Sequence, residues 1–107
     1  MEQLFEVRQK VLEKPIVIYG AGNAGLDCFC ELFNRDIYVK YFCDSSPEKW
    51  GIRLANKVVL SPEELCRIKD DVNVVIASMF FEDIKKDLME RGITNLYCYK
   101  NHWRVQM

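Results

Sequence analysis

The sequence contains one histidine, His102, and its five cysteines follow no framework spacing. Cys28 and Cys30 lie two residues apart on a predicted helix, so their side chains point in different directions and make a poor metal pair. Zinc sites use several histidine and cysteine ligands, so we predict no metal site. An odd number of cysteines without a framework is typical of a reducing compartment, where thiols act as small buried apolar side chains. We therefore expect plain thiols and a cytoplasmic protein.

Long apolar runs and basic runs are also missing. No segment approaches the roughly 20 apolar residues that cross a bilayer. The N-terminus has early acids, Glu2 and Glu6, and lacks the basic-then-apolar order of a signal peptide. The formal net charge is -1 and the basic residues are scattered. We therefore expect neither membrane insertion nor a nucleic-acid partner.

The apolar content, 50% of 107 residues, suffices for one core, whereas two domains would each be too small. We expect a single domain spanning residues 1–107. Short apolar runs predict five strands: residues 16–19, 37–43, 57–60, 73–78 and 96–100. Helical spacing predicts helices over residues 2–13, from the loop after the first strand to about 34, and from about 81 to 91. Another helix begins at Ser61, where Glu64 completes a capping box, and runs to about 69.

Strands that alternate with helices indicate βαβ units and a parallel sheet. Right-handed crossovers favour the strand order 3-2-1-4-5. The predicted fold is therefore a doubly wound α/β domain with a five-stranded parallel sheet and an N-terminal helix. Ligands of such sheets bind at the carboxyl ends of the strands where the winding reverses, here between strands one and four.

A glycine-rich loop follows the first strand and opens a helix, as a phosphate-binding loop does. Gly20 allows the tight turn out of the strand, Gly22 lets a pyrophosphate approach the backbone, and Gly25 lets the helix pack against the strand. The helix N-terminus offers N–H groups and a positive dipole end to the anion. We expect Asn23 to cap the helix rather than bind the ligand. The complete predicted loop site is Gly20, Ala21, Gly22, Asn23, Ala24 and Gly25.

Asp44 ends the second predicted strand, about twenty residues after the loop, where an acid accepts ribose hydroxyls. Its charge would repel a 2′-phosphate, so NAD is favoured over NADP. The alternative is that Asp44 only begins the turn that includes Ser45. Across the predicted site, Ser78 ends the fourth strand and is the residue there best able to hydrogen-bond a ligand. Lys49 and Trp50 lie in the loop beyond Asp44 and are candidate contacts to a base or sugar, although covering the sheet edge is the favoured role of Trp50.

Catalytic groups are scarce. His102 lies in the tail, away from the predicted ligand edge, and Cys43 has no evident neighbouring base. We assign no catalytic residue and expect no independent activity.

Four stretches carry a family resemblance: residues 17–25 (VIYGAGNAG), 41–51 (YFCDSSPEKWG), 58–65 (VVLSPEEL) and 73–78 (NVVIAS). They resemble the N-terminal Rossmann-type domains of polysaccharide-biosynthesis nucleotide-sugar dehydratases and epimerases, and the small domains attached to sugar acetyltransferases and glycosyltransferases. The resemblance implies a site for a dinucleotide or for the nucleotide of a sugar donor. By position, Gly20, Gly22, Asn23 and Gly25 would meet the phosphates and Asp44 the ribose or base. The catalytic tyrosine and lysine of the extended epimerases have no counterpart here.

Three interpretations follow. The first is a non-catalytic NAD-binding module related to nucleotide-sugar enzymes. The second is a module that binds a UDP-sugar and presents it to a transferase. The third is a scaffolding or oligomerisation domain with a vestigial site. A homodimer or a catalytic partner domain is compatible with each.

Overall fold

The computed structural model describes residues 2–3 and 14–99. Its strands are β1 (Glu2–Gln3), β2 (Ile16–Tyr19), β3 (Val39–Cys43), β4 (Arg53–Leu54), β5 (Lys57–Leu60), β6 (Asn73–Ile76) and β7 (Leu96–Cys98). Its helices are α1 (Asn23–Asn34), α2 (Pro62–Arg67) and α3 (Phe81–Glu90), with a short 3-10 helix at Pro47–Lys49.

The strands lie in the order β1-β7-β6-β2-β3-β5-β4. All pairs are parallel except β4 with β5. The five predicted strands occupy the centre in the relative order 3-2-1-4-5, but the predicted strand count and the order of the complete sheet are wrong, since a two-residue strand lies at each edge. Strands this short carry no alternation that a sequence pattern can reveal.

The predicted N-terminal helix is wrong at its start, because Glu2 and Gln3 pair with Tyr97 and Cys98 as a strand. The remainder of that prediction, residues 4–13, lies outside the described residues. At the opposite edge, β4 and β5 are joined by Ala55 and Asn56, whose φ angles of 50° and 64° are both positive. Two positive φ angles are typical of the tight hairpin turn that Asn-Gly or Asp-Gly usually forms. Ala-Asn gives no such signal, so the hairpin was not predicted.

Alternation along the strands divides the core into two layers. Ile16 and Ile18 point to the face covered by α1, with Leu32. Val17 and Tyr19 point to the opposite face, which contains Leu65 of α2 and Leu88 of α3. Because both faces are covered, the central strands are almost wholly apolar, as parallel sheets require.

Local signals set two of the helix boundaries. The capping box at the start of α2 is confirmed: the Glu64 N–H donates to Ser61 Oγ at 3.1 Å and the Ser61 N–H donates to Glu64 Oε1 at 2.9 Å. Beyond α1 the chain reverses at Asp36, which has a φ of 59°, and the Ile37 N–H donates to the Leu32 carbonyl at 2.9 Å. Ile37 therefore closes the helix, and β3 begins at Val39 rather than at the predicted residue 37.

A close contact joins β2 to α1. The chain leaves β2 at Gly20 with a φ of 123°, a conformation that favours glycine. A Cβ on Gly25 would lie 1.8 Å from the Gly20 carbonyl oxygen. Only glycine at position 25 allows the first turn of α1 to lie this close to the end of the strand, as the sequence predicted.

We expect Gly25→Ala to lower the free energy of unfolding by about 3 kcal/mol, because backbone must move to admit the methyl group. Helix propensity alone predicts the opposite sign, a gain of about 1 kcal/mol. Gly51→Ala is the matched control: Gly51 has a φ of 82° but nothing within 4 Å of its Cβ position, so only backbone strain of about 1 kcal/mol is expected. Urea unfolding measures both, and a Gly25→Ala variant as stable as the unsubstituted chain would contradict the contact.

Candidate functional site

A cleft of about 640 Å³ opens at the carboxyl ends of β2, β3 and β6. This volume lies within the range of small-molecule sites, roughly 300–1,000 Å³. The predicted site residues that line it are Gly20, Gly22, Asn23, Ala24, Asp44, Ser45 and Ser78. Ala21 and Gly25 lie behind its surface, because the Ala21 methyl group belongs to the core and Gly25 contacts the Gly20 carbonyl. The structure therefore brings the glycine loop together with Asp44 and Ser45 on one side of the cleft and Ser78 on the other.

The N-terminus of α1 faces this cleft. Gly22 is its N-cap, with a φ of -122° and no side-chain capping bond, and Asn23 is the first helical residue. The expectation that Asn23 caps the helix is therefore wrong, because glycine already occupies the cap position. Asn23 instead lines the cleft with its side chain exposed. The first-turn N–H groups have no partner within the helix, so this end of α1 can meet an anion.

Gly22 differs from the other two motif glycines. A Cβ added to Gly22 would have only the Lys49 Nζ, at 4.0 Å, as a neighbour, and its φ suits any residue. The fold therefore does not require glycine at position 22. The open space that a side chain would fill belongs to the cleft, directly above the helix N-terminus.

Asp44 joins two loops. Its Oδ2 accepts the N–H of Ala21 at 2.8 Å, and its Oδ1 accepts the N–H of Ser46 at 2.9 Å. The bond to Ser46 forms the turn that the sequence offered as the alternative role of Asp44. That turn is therefore present. The first bond, between residues 23 apart, was not foreseen. The Asp44 side chain is 13% exposed, so a small part of the carboxylate still faces the cleft.

The pKa of Asp44 reflects these contacts. Partial burial alone would raise it, but the N–H groups of Ala21 and Ser46 and the charge of Lys49 outweigh burial and lower the pKa below its ordinary value of 3.8. Asp44 is therefore a carboxylate at neutral pH.

Lys49 and Trp50 complete this side of the cleft. The Lys49 Nζ donates to the Ala21 carbonyl at 3.3 Å and lies 3.8 Å from Asp44 Oδ2. The Trp50 Nε1–H donates to the Asp44 carbonyl at 2.7 Å. Trp50 therefore fixes the loop after β3, while Lys49 carries a charge into the cleft.

The opposite wall comes from the loop after β6 and the first turns of α3. Ser78 Oγ accepts the Phe80 N–H at 3.1 Å, and Met79 and Phe80 are 83% and 64% exposed. These two apolar side chains are thus not core residues. Asp83, Ile84 and Asp87 of α3 also line the cleft, and the sequence analysis missed them. The spacing of four residues from Asp83 to Asp87, and of three from Ile84 to Asp87, on a helix that follows Ser78 was the available signal.

No base for catalysis emerges from the buried titratable groups at this edge. Burial is the largest cause that raises the pKa of Tyr19, followed by the charges of Cys43 and nearby acids. Burial likewise raises the pKa of the Cys43 thiol, which is fully buried. Both groups are therefore protonated at neutral pH. His102, the other candidate, lies outside the described residues.

The cysteines are free thiols: Cys28, Cys43 and Cys98 are buried, Cys66 is half-buried and Cys30 is exposed. The expectation of burial is thus wrong for Cys30, which lies on the outer face of α1. Within the described residues, no three His, Cys, Asp or Glu side chains are grouped to hold a metal ion. No helix in that same part of the chain has the length and apolar character needed to span a membrane.

We expect Asp44→Asn to destabilise the fold by about 2 kcal/mol at pH 7, since hydrogen bonds to a charged acceptor are worth about 1.5–3 kcal/mol. Because the folded-state pKa is lowered, this stability is present above pH 3.8 and is lost as the pH falls through the folded-state pKa. Urea unfolding of both chains across pH 2–7 should therefore show a difference that shrinks below pH 3.8. Asp70→Asn, at an exposed acid, is the control with little expected change. A pH-independent difference would show that the Asp44 charge plays no part.

Solved structures show the same fold. The chain is similar to a UDP-D-quinovosamine 4-dehydrogenase from Vibrio fischeri, with 22% identity and a TM-score of 0.68 over 87% of this chain and 83% of that chain. It is also similar to RSP, a Rex-family repressor, with 18% identity and a TM-score of 0.64 over 83% of this chain and 47% of that one. RSP in complex with beta-NAD+ and operator DNA matches with 16% identity and a TM-score of 0.62, over 92% of this chain and 56% of that chain. The chain thus spans about half of the RSP chains.

At these low identities, the TM-scores establish a Rossmann-like fold and nothing finer. No curated protein is significantly similar to the chain in sequence. One sequence family does match, over residues 12–97. This range includes all strands except β1 and the last residue of β7. The chain therefore belongs to the family described as C2185-like, N-terminal.

Proposed function

We propose that this domain binds NAD(H), with the pyrophosphate on the first turn of α1 and the adenosine ribose beside Asp44. The observation that carries the proposal is Gly22. The fold does not need glycine there, yet its missing side chain leaves open space above the helix N-terminus, inside the cleft. A ligand that approaches the backbone closely is the physical reason for glycine at such a position.

Asp44 supports the ribose half of the proposal. Each of its oxygens accepts one backbone N–H, which leaves further lone pairs for a donor such as a ribose hydroxyl. Its lowered pKa keeps it charged, so a 2′-phosphate at this place would meet a carboxylate. Ser45 is exposed beside it, and Ser78 offers a hydroxyl on the opposite wall.

The RSP complexes support this choice of ligand. RSP has been solved with beta-NAD+ and with beta-NADH, and this chain is similar in fold to both complexes. The likeness to a UDP-D-quinovosamine 4-dehydrogenase makes a UDP-sugar the second candidate, and it also favours a role in nucleotide-sugar or polysaccharide chemistry. In either case neither Tyr19 nor Cys43, the buried titratable groups at this edge, is a base at neutral pH. We propose a binding module that serves a catalytic partner domain, with a homodimer as one arrangement.

The operator DNA in one RSP complex bears on the expected partners. Our prediction of no nucleic-acid partner depends on the net charge of -1 and the scattered basic residues of this chain. It stays a prediction.

We expect calorimetric titration to show binding of NAD in preference to UDP and UDP-N-acetylglucosamine. Gly22→Val should abolish that binding, because the added side chain fills the space above the first turn of α1. Its fold should persist, since only the Lys49 Nζ lies within 4 Å of the Cβ position at residue 22. Normal NAD binding by Gly22→Val would remove the loop as the site, and preference for the UDP ligands would establish the second candidate. Binding of none of them would leave a scaffolding domain.

A second substitution tests the ribose role. Asp44→Ala should weaken the binding of NAD and bring the affinities for NAD and NADP closer together, because the charge that repels a 2′-phosphate is gone. The ratio of the two affinities is the informative quantity, since any loosening of the glycine loop weakens the binding of both ligands alike. An unchanged ratio in parallel titrations would show that Asp44 serves only the two loops.

A further inference from the structure

Lys49 is the one cationic side chain among the described residues that line the cleft, which also contains Asp44, Asp83 and Asp87. A ligand with a diphosphate therefore meets mostly negative side chains. The helix N-terminus offsets this only within its first turn. The position of the single ammonium group thus decides where an anionic ligand can be held.

The ammonium of Lys49 lies over the glycine loop. Its Nζ is 4.0 Å from the position of a Cβ on Gly22, the same open space that a ligand would occupy in the proposed function. It donates one hydrogen bond, of 3.3 Å, to the Ala21 carbonyl, and its separation of 3.8 Å from Asp44 Oδ2 is longer than a hydrogen bond. An ammonium has three donors, so donors are left for another acceptor. The side chain is 35% exposed and already held in place on one side.

We propose that Lys49 binds the diphosphate of the nucleotide ligand, opposite the N–H groups of the first turn of α1. This inference rests on the proposed nucleotide site but holds for NAD and for a UDP-sugar alike, since both carry a diphosphate. The short 3-10 helix Pro47–Lys49 and the bond from Trp50 to Asp44 position the lysine. The glycine loop and the loop after β3 thus hold one anion from two sides.

The competing explanation is that Lys49 only ties its loop to the glycine loop. The two explanations differ in what they predict for a ligand without phosphate. A phosphate contact changes the affinity for NAD and leaves adenosine unaffected, whereas a loosened loop weakens both. They differ also in salt dependence, because loss of a charged contact to phosphate reduces the sensitivity of binding to ionic strength.

The test is calorimetric titration of the whole chain and its Lys49→Met, Lys49→Arg and Lys86→Met variants with NAD, UDP-N-acetylglucosamine, adenosine and uridine. Lys86 is exposed on α3 outside the cleft, so Lys86→Met removes the same charge as a matched control. For whichever diphosphate ligand the chain binds, Lys49→Met should weaken binding roughly 10- to 100-fold, the value of one charge-assisted hydrogen bond. Lys49→Arg should retain most of the affinity, and Lys86→Met should stay within about twofold, because screened surface charges contribute little.

Repeating the titrations at two salt concentrations should show a steeper loss of affinity for the unsubstituted chain than for Lys49→Met. Unchanged affinity in Lys49→Met, an equal loss for the nucleosides, or equal salt dependence in the two chains would overturn the role of Lys49 while leaving the nucleotide site intact. Failure of the unsubstituted chain to bind any of the ligands would overturn the proposed function, and this inference with it.

Discussion

The carboxylate of Asp44 joins the glycine loop to the loop after β3. One oxygen holds the N–H of Ala21 in the glycine loop, and the other holds the N–H of Ser46 in its own turn. Lys49 adds a bond back to the Ala21 carbonyl. The loop is also held by the bond from the Gly20 N–H to the Cys43 carbonyl, at 2.8 Å, and by the burial of the Ala21 methyl group. Asp44 adds the side-chain contacts that fix the shape of this end of the cleft.

This role of Asp44 links stability to ligand preference. A carboxylate that must stay ionised to hold the loop is also a negative charge at the place proposed for the ribose. The same residue therefore favours hydroxyls there over phosphate for structural reasons, whatever the ligand. The opposite wall has a different character, with exposed Met79 and Phe80 beside Asp83 and Asp87. Asp87 is paired with Arg91 at 3.0 Å, so part of its charge is already balanced. The cleft thus has one end suited to phosphate and another suited to an apolar or uncharged group.

Much of this arrangement is present in the sequence. The five central strands, the capping box at Ser61, the glycine loop and the position of Asp44 all follow from local patterns, because each depends on neighbours within a few residues. The hairpin at Ala55 and Asn56 has an unusual turn sequence and gave no signal. The bonds from Ala21 and Lys49 are contacts across more than twenty residues, which no spacing reveals. Asparagine does favour the N-cap position, but Gly22 already occupies it, so Asn23 is the first helical residue instead.

The three glycines of the loop are required for different physical reasons. Gly20 and Gly25 meet backbone oxygens and are held by packing, whereas Gly22 faces open space. During divergence, a relative that no longer uses the cleft keeps the first two for the sake of its fold and is free to drift at the third. Under the proposed function, position 22 therefore reports on ligand binding in a way that positions 20 and 25 cannot. A related chain with an intact fold and a bulky residue at that one position would lack the space that the proposed diphosphate needs.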